Sequence, residues 1–137
     1  MEREVLISDA SVIIKWFTDE EGRKEALILR ERFRKGEIEI VVPDLALYEI
    51  SNALRYNSNF SEEDVGKAVS SLFDIRLSVV SLSSHVLKES IKIAFDKNTS
   101  VYDAFYLALA NELKVNFITS DRKFYDKVKD FKFIKLL

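Results

Sequence analysis

The sequence predicts an α/β protein, a three-layer α/β/α sandwich with a central parallel sheet. Two observations support this fold class. Short apolar runs, typical of strands buried on both faces, alternate with longer runs whose apolar residues recur at helical spacing. Strands that are separated by helices form parallel sheets with right-handed crossovers and helices on both faces. Because 137 residues with 47% apolar content are enough for one core, we expect residues 1–137 to be a single domain.

The first half of the chain gives clear boundaries for its elements. A strand over residues 5–7 runs into Asp9, where a helix begins, and a second helix covers residues 20–35 and stops at Gly36. A strand over residues 38–42 ends at Pro43, which opens a helix to about Tyr56. Ser61 caps the next helix, which reaches about Asp74 and has acidic residues in its first turn.

The second half repeats the pattern. A strand over residues 77–82 precedes a helix that Ser83 caps and that reaches about Asp96. Ser100 opens a mostly apolar helix over residues 101–113, which should be buried. A strand over residues 116–119, a short helix over residues 121–128 and a last strand over residues 131–134 complete the predicted elements.

Composition excludes several classes of site. There are no cysteines, which excludes disulfides and thiol catalysis, and the single histidine, His85, makes a histidine metal site or a Ser-His-Asp triad implausible. No window approaches the roughly 18 apolar residues of a membrane span. The acidic start of the chain leaves no room for a signal peptide, so we expect a cytoplasmic protein. The net charge of −2 provides no general attraction for nucleic acid.

Four acidic residues stand out by position. Asp9 and Asp121 follow strands and Asp103 lies three residues after Ser100, so each of these three, taken alone, is explained by helix capping. Glu49 lies inside a helix among apolar neighbours, where no cap is needed, although a solvated helix face would also explain it.

Taken together, the four acids indicate more than capping. Asp9 and Asp121 lie at strand ends, and Glu49 and Asp103 lie on helices that flank the same sheet edge, with few basic residues nearby. Buried charged groups are usually paired or bound to metal. Carboxylate oxygens suit Mg²⁺ or Mn²⁺, which activates water for phosphodiester hydrolysis. We therefore expect the four carboxylates to line one pocket.

Four stretches of the chain together resemble a PIN domain of the VapC toxin type. They are DASVIIKWF (residues 9–17), PDLALYEISNAL (43–54), YDAFYLALA (102–110) and TSDRKF (119–124). The resemblance implies a metal-dependent endoribonuclease that a cognate antitoxin holds inactive and that is usually dimeric. By position it makes Asp9, Glu49, Asp103 and Asp121 the catalytic and metal-binding quartet. It also makes Ser11 and Thr119 the hydroxyl supports near the metal.

Other residues have more ordinary interpretations. Candidate contacts to RNA phosphate are Lys15, Arg55 and Arg122, because each lies within or beside one of these stretches. The basic second helix either follows a phosphate backbone or, as we favour slightly, is a solvated face with internal ion pairs. A surface or capping role is expected for His85. Trp16 and Phe17 are expected in the core, with base stacking as the alternative.

Two alternative functions stay open. A regulatory binding module would keep the fold and the antitoxin contacts without turnover, but the intact set of four acids argues against it. A phosphoaspartyl phosphatase would normally carry a second aspartate two residues after the first, where this chain has Ser11. The apolar helix at residues 101–110 and the ten phenylalanines leave room for a homodimer.

Overall fold

The structure, a computed structural model, describes residues 3–137, which contain five strands and seven helices. The strands are β1 (Glu4–Ser8), β2 (Ile38–Pro43), β3 (Ser78–Val80), β4 (Asn116–Thr119) and β5 (Ile134–Leu136). The helices are α1 (Ala10–Ile14), α2 (Arg23–Arg34), α3 (Asp44–Arg55), α4 (Glu62–Asp74), α5 (Ser84–Lys97), α6 (Val101–Leu113) and α7 (Arg122–Val128).

The strands form one sheet in the order β3-β2-β1-β4-β5, and every neighbouring pair is parallel. The predicted α/β sandwich with a central parallel sheet is therefore confirmed. From β1 the chain moves to β2 and β3 on one side, and it then crosses to β4 and β5 on the other. This reversal lies between β1 and β4, and in such sheets ligands bind in the crevice beyond the carboxyl ends of the strands at the reversal.

Three predicted helix caps are confirmed, because serine hydroxyls meet otherwise unpaired amides. Ser61 accepts from the Asp64 amide, and the Asp64 carboxylate accepts from the Ser61 amide, which completes a capping box. Ser83 caps α5 by accepting from the Val86 amide, without a capping box, and Ser100 accepts from the amide of Asp103 at the start of α6. The cap at Ser100 fixes where α6 begins and therefore where its first turn lies.

The core is one cluster of buried residues from the sheet and from all seven helices, of which α6 contributes the most. Ile7 on β1 is flanked by Val41 on β2 and Phe117 on β4, and both Ile7 and Phe117 are fully buried. Residues 104–110 of α6 are all buried, as predicted for this apolar helix. Because this surface packs inside the chain, it is not available for the homodimer interface that we expected it to support.

Two elements start three residues later than predicted, and the third strand is shorter, Ser78–Val80 and not residues 77–82. The last strand is Ile134–Leu136 and not residues 131–134, because the Phe131 amide bonds to the Val128 carbonyl and continues the turn after α7. Helix α2 starts at Arg23 and not at residue 20, since Gly22 at φ 88° adopts a left-handed conformation that ends the preceding loop.

The ordinary interpretations of several side chains are confirmed. Trp16 is buried and donates its indole N–H to the Ala26 carbonyl, so it belongs to the core. On α2, Arg34 pairs with Glu31 at the surface, as expected of a solvated face. His85 lies on the surface 3.2 Å from a carboxylate oxygen of Glu112. Within residues 3–137, every helix is too short or too polar to span a lipid bilayer.

Candidate functional site

Acidic side chains gather where β1 and β4 end, at the reversal of strand order. Asp9 directly follows β1, and Asp121 lies two residues beyond β4. Since β1 and β4 are parallel neighbours, their carboxyl ends meet at one edge of the sheet. Glu49 on α3 and Asp103 in the first turn of α6 complete the set.

Asp9 is the most enclosed of the four acids, with 9% of its surface exposed. The hydroxyls of Ser11 and Thr119 each donate a hydrogen bond of 2.5 Å to its carboxylate. Both hydroxyl oxygens in turn accept backbone amides, from Ser120 and Asp121 respectively. With the amides occupying one side of each oxygen, the hydroxyl hydrogens point to Asp9, which fixes the orientation of its carboxylate.

The charge of Asp9 is costly in this setting. Burial raises the pKa of its carboxyl to about 6, although the hydroxyls of Ser11 and Thr119 lower it and the charge of Asp103 adds to the increase. Asp9 occupies the N-cap position of α1, but its side chain makes no capping hydrogen bond. The Val12 amide lies close to the carboxylate and lowers the pKa of Asp9. Capping therefore does not account for Asp9.

Glu49 is held by a tyrosine that lies deeper in the core. The Tyr106 hydroxyl donates a hydrogen bond of 2.5 Å to Glu49 Oε1, and the Tyr106 ring stacks on Phe117 with 5.6 Å between centroids. Burial raises the pKa of the half-buried Glu49, and the charge of Asp103 raises it further, against the hydrogen bond. Burial and the Glu49 charge also raise the pKa of Tyr106, so its hydroxyl stays protonated and remains a donor.

Asp103 and Asp121 share a cavity of about 170 Å³ with Lys123 and Lys127. Asp121 caps α7 by accepting from the Phe124 amide at 3.0 Å, so the capping interpretation is correct for one of its oxygens. Burial raises the pKa of Asp103, and the Asp121 charge raises it further, while Ser100 and Lys127 lower it.

The role of Asp103 is clarified by comparison with Asp64. Both aspartates follow a capping serine by three residues, but only the Asp64 carboxylate returns a hydrogen bond to the serine amide. In the described chain, the Asp103 carboxylate makes no such reciprocal bond. Its half-buried oxygens are therefore free of a capping role.

The four acids form one electrostatic group, although they do not line one cavity. Asp103 raises the pKa of both Asp9 and Glu49, and Asp121 raises that of Asp103. Across residues 3–137, none of the four forms an ion pair with lysine or arginine. Over the same residues, no three acidic or histidine side chains converge as a complete ligand set. Asp103 and Asp121 line the cavity described above, and Asp9 and Glu49 do not.

The three basic candidates have different surroundings. Lys15 has only 9% of its surface exposed, and its ammonium donates to the Glu20 carboxylate and the Glu21 carbonyl. The acidic loop before α2 therefore already binds the charge of Lys15, and its contact with RNA phosphate stays a prediction. Arg55 stacks over Tyr56 and lines a cavity that none of the four acids borders.

Arg122 remains exposed beside Asp121. Sequence reasoning placed Lys123 near the acids but missed Lys127 and Tyr106, which also lie there. Spacing carried a signal for each: Tyr106 lies about one helical turn after Asp103, and Lys123 and Lys127 are one turn apart on α7.

Comparison with known proteins gives one family and several similar structures. Residues 6–130 match the family model described as PIN domain. Ribonuclease VapC3 of Pyrobaculum aerophilum is 29% identical over 126 residues, which cover 89% of this chain and 93% of the relative. VapBC2 from Rickettsia felis, bound to a promoter DNA fragment, has a TM-score of 0.70 at 11% identity and covers 97% of this chain and 98% of its own. Mycobacterium tuberculosis VapC20, a sarcin-ricin loop cleaving toxin, has a TM-score of 0.70 at 10% identity, with 90% and 95% covered.

Proposed function

The chain belongs to the PIN-domain family, and on that premise we propose that it is a metal-dependent endoribonuclease acting as the toxin of a toxin–antitoxin pair. The name of the relative from Pyrobaculum aerophilum, a ribonuclease, supports hydrolysis of RNA. The name of VapC20, a toxin that cleaves the sarcin-ricin loop, supports both the substrate class and the toxin role. RNA phosphodiester bonds in the cytoplasm are the proposed target.

One observation carries the catalytic part of the proposal. Four acids gather at the reversal of the sheet, the pKa values of Asp9, Glu49 and Asp103 are raised, and no lysine or arginine in residues 3–137 pairs with any of the four. Such a group gains stability from a bound cation, because a cation removes the repulsion between the charged forms.

The donor set fits Mg²⁺ or Mn²⁺. Asp9, Glu49, Asp103 and Asp121 offer only carboxylate oxygens, which these hard cations prefer. Mg²⁺ commonly binds through one or two carboxylates and keeps several waters, so an incomplete set of protein ligands is suitable. When bound, the cation would supply a water of lowered pKa and stabilise charge on the departing oxygen.

The chain's own residues orient these carboxylates and bind the RNA. Ser11 and Thr119 hold the Asp9 carboxylate in one orientation, and Tyr106 holds that of Glu49. Lys123 and Lys127 line the cavity of Asp103 and Asp121, where their positive charges suit the phosphate of an RNA strand. In hydrolysis the water oxygen bonds to phosphorus and one P–O bond of the RNA breaks; a fixed carboxylate would receive the proton of the attacking water, and the departing ribose oxygen would take a proton from solvent.

The proposed function predicts that cleavage requires a divalent cation. We expect the purified protein to cut single-stranded RNA with Mg²⁺ or Mn²⁺ and to lose this activity in excess EDTA. Activity should return when the cation is added in excess of the chelator. Gel analysis of labelled RNA measures this. Equal cleavage in EDTA would contradict metal dependence, and absence of cleavage under all conditions would favour the silent binding module.

We further propose an antitoxin partner and a homodimer. Solved VapBC structures support the antitoxin, since the similar chains in them come from complexes such as VapBC2 of Rickettsia felis. The buried face of α6 packs in the core and cannot contact a partner. Exposed apolar side chains elsewhere on the surface can contact the antitoxin and a second copy of the chain. The most exposed are Phe95, Tyr48 and Tyr56.

A further inference from the structure

A large cavity lined by arginines lies at the amino-terminal edge of the sheet. Its volume is about 780 Å³, and we call it the arginine cavity. Arg3 directly precedes β1, Arg76 lies two residues before β3, and Arg30 and Arg34 are one turn apart on α2. Because the strands are parallel, their amino ends meet at one edge and their carboxyl ends at the other. The arginine cavity and the four acids therefore lie at opposite edges of the sheet.

Most of the positive charge in the arginine cavity is not neutralised. Arg34 forms an ion pair with Glu31. The other three arginines of the lining form no ion pair within residues 3–137, and all three are exposed. Among the described lining residues, Glu39 is the only other acid. Three guanidinium groups without an ion pair therefore share the cavity with one such carboxylate.

Arg76 occupies a backbone conformation that favours glycine. It follows the C-cap of α4 at φ 62°, in the left-handed region where glycine is the usual residue. The turn between α4 and β3 therefore does not require arginine at this position, and the guanidinium group is available for a role other than folding.

The exposed groups of the arginine cavity suit a polyanion better than an apolar protein segment. Trp16 is buried, Phe17 and Phe33 are partly buried against the core, and Ile75 is only 38% exposed. Little apolar surface is left for a protein partner to cover. Guanidinium groups bind phosphate oxygens through two parallel hydrogen bonds. Since the arginines come from three separate segments of the chain, they suit successive phosphates of a strand better than one enclosed phosphate.

The distribution of charge indicates why an RNA strand needs such a contact. The net charge is −2, and the acids at the carboxyl edge of the sheet repel phosphate. The arginine cavity and this edge lie at the two ends of α1, because Asp9 precedes that helix and Phe17 lies three residues after it. With five residues in β1, the two edges are about 17 Å apart, a distance that about five stacked nucleotides span.

We propose that the arginine cavity binds phosphates of the RNA substrate at about five nucleotides from the bond that is cleaved. The proposal rests on the ribonuclease function proposed above and adds a second contact with the substrate, remote from the acids. It also assigns a role to the part of the basic helix α2 that ion pairs do not neutralise. Arg30 and Arg76 then determine how tightly long RNA binds and take no part in bond breaking.

The test removes one guanidinium group at a time and includes a matched control. Arg30→Gln removes a charge from α2. Arg76→Gly removes a second charge and gives the turn its favoured residue, so this variant should be at least as stable to urea as the wild type. Arg32→Gln is the control, because Arg32 also lies on α2 but pairs with Glu4 and Glu37 and is not part of the cavity lining. Anisotropy of a fluorescein-labelled 20-nucleotide RNA in EDTA, at several salt concentrations, measures binding without turnover.

We expect Arg30→Gln and Arg76→Gly each to bind this RNA about 5-fold more weakly than the wild type in 0.1 M salt, and the slope of log affinity against log salt to fall by about 0.7 in each, the value for one phosphate contact with a single strand. Arg32→Gln should bind like the wild type. In cleavage assays with Mn²⁺, the two cavity variants should raise KM for the 20-nucleotide RNA without lowering kcat. A four-nucleotide RNA should show no such increase, because it is too short to reach from the acids to the cavity.

Four results would overturn the arginine cavity as an RNA site. They are binding by both cavity variants equal to that of the control, an equal rise in KM for the four-nucleotide RNA, displacement of the RNA by AMP at the same phosphate concentration, and loss of antitoxin binding with RNA binding intact. The third result would identify a site for a small anion, and the fourth a protein contact. Loss of RNA affinity in the two variants of a protein that never cleaves RNA would support the cavity and contradict only the nuclease function.

Discussion

Asp9→Asn is expected to lower RNA cleavage by roughly 10²–10³-fold or more, the range found when one group that stabilises transition-state charge is removed. The same variant in EDTA should be at least as stable as the wild type. Asparagine keeps the shape and carries no charge to bury; its Oδ1 can accept from one of the Ser11 and Thr119 hydroxyls, while its Nδ2 must donate to the oxygen of the other. Measurement of cleavage rates in Mn²⁺ and of urea unfolding in EDTA tests both halves.

Asp64→Asn is the matched control for a capping role. The Asp64 carboxylate is part of a complete capping box on the surface, and asparagine caps helices about as well as aspartate. This variant should therefore cleave RNA at the wild-type rate. If Asp9→Asn behaves like Asp64→Asn, with cleavage retained, Asp9 has no catalytic role and its position at the start of α1 is structural.

The stability of the metal-free protein is expected to fall as the pH rises from 5 to 7. The pKa of Asp9 is about 6 in the folded protein and 3.8 as its ordinary value. An acid whose pKa is raised by folding stabilises the native state fully below its unfolded pKa and loses that contribution as the pH rises through its folded pKa. Glu49 and Asp103, whose pKa values are also raised, act in the same direction.

For Asp9 alone, linkage gives a loss of roughly 1 kcal/mol between pH 5 and pH 7. Urea unfolding in EDTA at several pH values measures it, and the difference between the wild type and Asp9→Asn isolates this residue from the other acids. Acids with lowered pKa values, such as Asp130, titrate below this range and cancel in the difference. If the difference in unfolding free energy between the wild type and Asp9→Asn stays the same from pH 5 to pH 7, burial of the Asp9 charge does not destabilise the protein.

Local signals explain why most of the fold was predictable. Serine caps at Ser61, Ser83 and Ser100 act within four residues of chain, and all three helices start where the sequence indicates. The last strand was misplaced because Phe131 and Phe133 have strand-like side chains, whereas the turn that displaces the strand depends on a backbone bond back to Val128. Tertiary contacts decide such boundaries.

The candidate site was predictable in its acids but not in their supporting contacts. Strand ends and helix positions bring Asp9 and Asp121 to one edge, and these follow from the order of elements. The bond from Tyr106 to Glu49 joins residues that are 57 positions apart, and no local pattern specifies it. The capture of Lys15 by the loop before α2 likewise depends on how that loop folds back.

The most direct test of the proposed metal site is anomalous scattering from crystals soaked in Mn²⁺. We expect a manganese peak bounded by the carboxylates of Asp9, Glu49, Asp103 and Asp121, with at least two of them as direct ligands and water at the remaining positions. Crystals that show no manganese among these residues, from protein that cleaves RNA in the same buffer, would contradict the assignment of the four acids to metal-dependent catalysis.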